Sequence, residues 1–328
     1  MTGRRGSARM LVGAAALLVA AVAARPAAQS LQFTRLGTIP GPSDLVRVDG
    51  GHAYIAAAKT LTIFDVAKPE APRKMGTHAF PEKIWGFRVI GPTAYVAADF
   101  YGFAMLDVSN PAAPTLRGVI KTPGQAKNVA IYGTKALVAD HMSGVDYLDI
   151  SNPTQPKKLG SFFLDGYARD VVAAGPLAFA VDSPSGLYVL DLDRPDPIES
   201  AVSSLQSAST PSFVEISEPS ASPRLVCIVG AGLLQFYDVS NPAMPTKLST
   251  LKTPGRPLRA TLKGKFAYVA DGPEGLQVVD LSVPATPKIV GSFKTPMPAR
   301  DVAVDNGIVY VVVGAREEPG EVVVLRQN

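Results

Sequence analysis

One cysteine, Cys227, in a chain of 328 residues leaves nothing for it to pair with, so no internal disulfide is available. It sits in the apolar run "RLVCIVG", which marks it as a small buried hydrophobe rather than a reactive thiol. Three histidines are a meagre supply for a metalloenzyme. H-E-x-x-H, C-x-x-C, G-x-S-x-G, a phosphate-binding loop and a D-x-D-x-D-G calcium run are all missing. No catalytic residue, metal ligand or cofactor is therefore nominated. Helical periodicity is missing as well once the first thirty residues are passed.

Excess charge is also scarce. The net charge is +4, from 32 basic and 28 acidic residues, and Arg4, Arg5, Arg9 and Arg25 supply all of that excess. Without them the body of the chain has no global field to gather nucleic acid or anionic lipid, so no nucleic-acid partner is expected. The four arginines belong to a stretch that reads as a secretory signal peptide, residues 1–28: a basic start, the apolar "LVGAAALLVAAVAA", and small residues at Ala21 and Ala23. The apolar run is shorter than the about 20 residues a membrane span needs. Cleavage is expected near Ala23 to Ala28; Arg4-Arg5 hints at twin-arginine export, although Gly6-Ser7 stands where that route has an apolar residue. The mature protein, residues 29–328, is expected to be periplasmic, extracellular or at the cell surface, with no membrane span, and monomeric. Its 47% hydrophobic composition can supply a core without disulfides.

What the chain has in quantity is repetition. "FDVAKPEAPRKMG", "LDVSNPAAPTLRG", "LDISNPTQPKKLGSF", "LDLDRPDPIES", "YDVSNPAMPTKLST" and "VDLSVPATPKIVGSF" place an aspartate at 65, 107, 149, 191, 238 and 280. The spacing is 42 throughout, except for 47 between the fourth and fifth copies. A reduced seventh copy ends the chain as "GIVYVVVGAREEPGEVVVL". Each unit holds four short runs rich in valine, isoleucine, tyrosine and alanine, separated by Gly, Pro, Asn or Asp; four strands per 42 residues describe a propeller blade. In "D-V-S-N-P-x-x-P" the Asp, Ser and Asn side chains can bond the local backbone while proline fixes φ, so the aspartates are expected to form turns rather than bind metal. The fold class is all-β, a seven-bladed β-propeller in one domain. The stretch "LQFTRLGTIPGP" reads as a spare outer strand and the last copy lacks one, so the N-terminal strand is expected to pair with the last blade and close the ring.

Three of the phrases, "LQVVD", "LYVLD" and "VDYLD", together with "SNPxxPxxxG", resemble proteins with LVIVD repeats, which are secreted or surface-associated β-propellers. The resemblance spans essentially residues 31–328 and implies fold and export. It carries no catalytic residues to transfer.

If the first strand of each blade lines the channel, counting back ten from the aligned second-strand tyrosine gathers Asp44, Trp85, Lys127, Arg169, Leu258 and Arg300 at one mouth, with Ser212 from the fifth blade. The next positions add Asn128, Asp170, Arg259 and Asp301. One reading is a self-neutralising structural ring, with Arg169-Asp170 and Arg300-Asp301 paired to neighbouring blades. The other is a binding pocket in which arginine forks an anionic or sugar-like ligand and Trp85 offers a stacking face. The loops after the second strands carry Asp99, Asp140, Asp182 and Asp271, read as one recurrent loop-forming position, with His141 beside Asp140. In "ADFYGF", Phe100, Tyr101 and Phe103 crowd one loop near Trp85; exposed they would mark a binding patch, buried they would fill space between blades. The functional expectation is a non-catalytic scaffold that holds an extracytoplasmic protein or glycan at this mouth. The alternative is a hydrolase or lyase with a metal or charged site in the channel.

Overall fold

Alternating apolar runs of five to eight residues cannot bury both faces alone, and this chain solves that by stacking seven small sheets side by side. The computed structural model describes residues 30–193, 201–206, 210–218, 221–222, 224–315 and 320–328, with Thr2 alone before them. The signal peptide read at residues 1–28 therefore lies outside the described residues, as do parts of "SLQSASTPS" and "SEPSASP" around the lengthened fifth repeat. Strands are numbered β1 to β28 in chain order.

All seven sheets are four-stranded and antiparallel. The first strands of the blades are β2 (Leu45–Asp49), β6 (Gly86–Ile90), β10 (Asn128–Tyr132), β14 (Tyr167–Ala174), β18 (Pro211–Ile216), β22 (Arg259–Lys263) and β26 (Ala299–Asp305). Six blades are built from consecutive strands; the seventh has the order β1 (Phe33–Ile39), β28 (Glu321–Gln327), β27 (Ile308–Val313), β26. Phe33 faces Gln327 and Ile39 faces Val322, so the N-terminal strand does supply the missing outer strand and the ring is closed by its own two ends.

The core lies between blades. One buried cluster joins Tyr54 and Ile63 of blade one to Phe87, Val96 and Leu106 of blade two; another joins Val46 and Ile55 of blade one to Tyr310 and Val322 of blade seven. Cys227 is fully buried in such a layer, and burial pushes its thiol pKa upward, as expected of an inert side chain.

The recurrent phrase is turn and dock together. Oδ1 of Asp65, Asp107, Asp149, Asp191, Asp238 and Asp280 each accepts the N–H two residues on, and Asn110, Asn152 and Asn241 repeat the arrangement one turn later. The turn then reaches the outer strand of the preceding blade, where glycine lets it approach. A β-carbon on Gly76 would lie 2.5 Å from the carbonyl oxygen of Pro111 in the next blade's turn. In blades four and five serine occupies that position and donates instead: Ser203 Oγ to the Pro242 carbonyl at 2.7 Å, Ser249 Oγ to that of Pro284 at 2.6 Å.

Candidate functional site

The seven mouth positions read from the sequence are structurally equivalent. Asp44, Trp85, Lys127 and Leu258 each donate their N–H to the second strand of their own blade one residue before the first strand begins. In blades four, five and seven the ladder instead skips Arg169, Ser212 and Arg300 at a bulge. A bulge leaves its extra residue out of the ladder and re-aims the side chain, which is how these three reach the rim.

One step further in, the side chains staple blades together. Asn128 Nδ2 donates to Asp170 Oδ1, and Asp170 Oδ2 accepts the N–H of Val214 from blade five at 3.0 Å. Asp301 Oδ2 closes the ring in the same way, accepting the Val46 N–H at 3.0 Å and Arg47 Nη1 at 2.9 Å. The Arg259 guanidinium lies over the Phe213 ring, 4.8 Å from its centroid. Deeper still, Arg47, Arg88 and Glu215 occupy equivalent inward positions of β2, β6 and β18, as their pairings with Tyr54, Tyr95 and Cys227 show. Burial lowers the pKa of Arg88 and raises those of Glu215 and Asp170. Sequence reading missed this inner set. The signal was a charge in the middle of the otherwise apolar strands "LVRVD", "GFRVI" and "FVEI".

At the rim the charges are only partly compensated. Arg300 Nη1 pairs with Asp44 Oδ1 of the neighbouring blade at 3.0 Å, and the Asp301 partner is Arg47. Among the described residues Lys83, Lys127 and Arg169 form no ion pair. Both Lys83 Nζ and Lys127 Nζ lie 4.1 Å from the centroid of the Trp85 ring. The indole makes both contacts at once. The ring is thus a platform for two cations rather than a bare stacking face. Burial is the main cause that lowers the Lys127 pKa, and Arg169 and Lys83 lower it further against the opposing pull of Asp99. A hollow of about 370 Å³ opens beside it, lined by Trp85, Lys127, Arg169 and Arg259 with Ser183, Thr210, Pro211 and Ser212. Among the described residues no carboxylate lines it. A second hollow of about 200 Å³ shares Trp85 and Arg259 and continues past Lys83 to the Asp44–Arg300 pair.

The loops after the second strands correct the sequence alignment at one point. Asp140 accepts Thr122 Oγ1 and the Gly124 N–H, both at 2.7 Å; Asp271 accepts Thr253 Oγ1 and the Gly255 N–H; Asp182 accepts the N–H groups of Gly166 and Gly186. These three buried aspartates shape loops. Asp99 does not share their position. It bridges Ala126 as His141 bridges Ala168 and Gly272 bridges Ala299, and all three have positive φ. Ala98 holds the place of Asp140 in blade two, and the extra alanine in "VAAD" displaced the aspartate by one. Of the aromatic cluster, Phe103 is in the core and Tyr101 packs half-buried with its ring 6.4 Å from Phe80, so only Phe100 is exposed. The His141 ring stacks on Tyr167 at 4.7 Å and 9°, and burial is the main cause that lowers its pKa.

Among the described residues no three His, Cys, Asp or Glu side chains gather closely enough to hold a metal ion, and no helix is long and apolar enough to cross a membrane.

The LVIVD repeat pattern matches residues 40–79, 85–122, 123–163, 165–207 and 258–295, which are blades one to four and six. No curated protein matches the sequence. Among solved structures, the Cps50 (Swd1) β-propeller domain of Myceliophteria thermophila superposes with a TM-score of 0.73 at 13% identity, over 90% of this chain and 99% of that one. Raptor of Chaetomium thermophilum gives 0.73 at 11% identity, over 92% of this chain and 30% of Raptor. The computationally designed Ika8 protein gives 0.66 at 9% identity, over 89% and 99%. At such identities the likeness is one of fold.

Proposed function

The chain belongs to the LVIVD-repeat family, and from that premise we propose that it is a non-catalytic binding propeller of the periplasm or cell surface that holds a protein or glycan partner by an anionic group at the channel mouth. The observation that carries this reading is the 370 Å³ hollow with Lys127, Arg169 and Arg259 in its wall and no carboxylate among its described lining residues. The large hollow on the same face near blade four is built differently: its described lining includes Asp165, Tyr188, Ser185, Ser204 and Gln206 and no cation. Lys127 is partly desolvated already, so an incoming anion meets an ammonium that has lost part of its hydration. Hydrogen bonds to charged groups contribute about 1.5–3 kcal/mol each.

The stacking role first read for Trp85 changes accordingly. Its ring already carries Lys83 and Lys127, and of the two ammoniums Lys127 is the one beside the ligand hollow. Export is supported by residues 1–28 as read above.

Calorimetric titration with short polyglutamate and oligogalacturonate, beside their uncharged amide and ester counterparts, tests the site. The charged probes should bind, with affinity that falls as salt rises, and Lys127→Gln with Arg169→Gln should weaken them by about tenfold or more. Equal binding of the uncharged probes, or no loss in the variant, sinks the reading. N-terminal sequencing of the protein from fractionated native cells tests export, and a start at Met1 overturns it.

A further inference from the structure

We propose that the partner is a protein, engaged through an acidic segment that also carries apolar side chains and lies across blades two to four. This deepens the reading above and rests on it. On the mouth face the strongly exposed large hydrophobic side chains are Phe100 (57%), Met142 (74%), Phe163 (86%) and Tyr167 (46%). Among the described residues they come only from blades two, three and four, the first three from loops and Tyr167 from the start of β14. The remaining exposed large hydrophobics lie in turns on the opposite face, as Met244 and Val283 do, on outer strands, or, for Ile90, at the opposite-face end of β6. A ring of seven similar blades gives no structural reason to concentrate them there.

The four are knitted into one surface. The Asp99–Ala126 bridge brings the Phe100 loop against the entry to blade three, and the His141–Ala168 bridge brings the Met142 loop against the entry to blade four. Tyr167 stacks on His141. The Phe163 α-carbon would be 3.3 Å from a β-carbon on Gly144, in the same loop as Met142. On the channel side this apolar surface borders Lys127 and Arg169, the rim cations without ion pairs. Apolar side chains left in water beside cations that no ion pair neutralises call for a molecule with carboxylate and hydrocarbon groups a few ångströms apart. A polypeptide offers that combination residue by residue, and a saccharide has no side chains to cover Met142 and Phe163.

The test selects a displayed library of random dodecapeptides on the purified protein and titrates oligogalacturonate in parallel. Enriched peptides should combine Asp or Glu with Phe, Leu, Ile or Met. Their binding should weaken about tenfold or more both in Phe163→Ser/Met142→Ser and in Lys127→Gln/Arg169→Gln, with each variant keeping the parent melting temperature. Enriched peptides without acidic residues, or binding indifferent to Phe163→Ser/Met142→Ser, overturn the proposal. Oligogalacturonate bound through Lys127 and Arg169, with no peptide enriched, overturns it while leaving the anion-binding mouth in place. Failure of every probe removes both.

Discussion

A β-carbon built on Gly118 would stand 2.1 Å from the carbonyl oxygen of Pro153, two residues that belong to neighbouring blades. The outer strand of blade two and the Asn-Pro turn of blade three therefore touch backbone to backbone. This accounts for a phrase that ends in glycine: the turn residues shape the corner, and the glycine admits the corner of the next blade. Gly118→Val should cost about 1–3 kcal/mol through overpacking against a carbonyl that has little room to retreat. Gly118→Ser should be milder, because blades four and five use serine at this place and recover a hydrogen bond. Thr115→Val, exposed on the same strand, should be close to neutral. Denaturant unfolding of the three variants checks the order, and a Gly118→Val protein as stable as the parent refutes the close dock.

Ring closure makes a second prediction. Strand β1 covers β28 along its length, with Phe33 to Ile39 facing Gln327 to Val322. Deleting residues 31–39 uncovers that edge and removes Ile39 from the core between blades seven and one. Losing a few kcal/mol lowers the melting temperature of a chain this size on the order of 5–10 °C, and the open edge should drive association visible by size-exclusion chromatography. An unchanged, monodisperse truncation would mean that the ring is closed by something other than β1.

The turn aspartates set the acid limb of stability. Arg117 donates to Asp107 and, with the Ser109 N–H, holds its pKa at about 2 against the usual 3.8. The folded value lies below the unfolded one, so this contribution is present above about pH 4 and is lost as pH falls toward 2. Buried Asp140 and Asp271 are shifted upward by burial and act in the opposite sense, becoming less unfavourable as they protonate. Unfolding followed from pH 5 to pH 2 should therefore show Asp107→Asn losing less stability across the window than the parent protein. Parallel curves would show that the Arg117 contact does not hold the carboxylate down.

How much of this was legible beforehand divides along one physical line. The mouth register came out of strand periodicity and a constant gap to the second strand, which is why Trp85, Lys127, Arg169 and Arg300 fall at equivalent register positions although three blades reach that place by a bulge. Side-chain company was not legible, because it depends on which neighbour fills the space. Nothing in "EKIWGF" says that Lys83 lies over Trp85, or that Asp44 rather than Asp301 takes Arg300. The extra alanine of "VAADF" hid the one-residue offset of Asp99. Phe162 is core and Phe163 is the most exposed large hydrophobic side chain in the described structure; in "SFFLDGY" only the outer-strand register tells which of the two points out.

The sole tryptophan makes the mouth spectroscopically visible. Two ammoniums lie 4.1 Å from the centroid of Trp85, and Lys127 titrates below the lysine value of 10.5, chiefly because of burial. Its charged form is disfavoured in the folded state, so the folded protein releases this proton at lower pH than the unfolded chain. The associated penalty is present at neutral pH and relieved as pH rises through the folded pKa. When Lys127 loses its charge the cation–π contact goes with it, and the indole emission should change at a pH below that of ordinary lysines. Lys127→Met should abolish that step, whereas Lys247→Met, on the outer strand of blade five, should preserve it. An anionic probe in the 370 Å³ hollow should stabilise charged Lys127 and move the step to higher pH, coupling the titration to occupancy of the site. Emission that follows one and the same titration in the parent, the Lys127→Met variant and the probe-bound protein would show that Lys127 neither senses nor holds an anion.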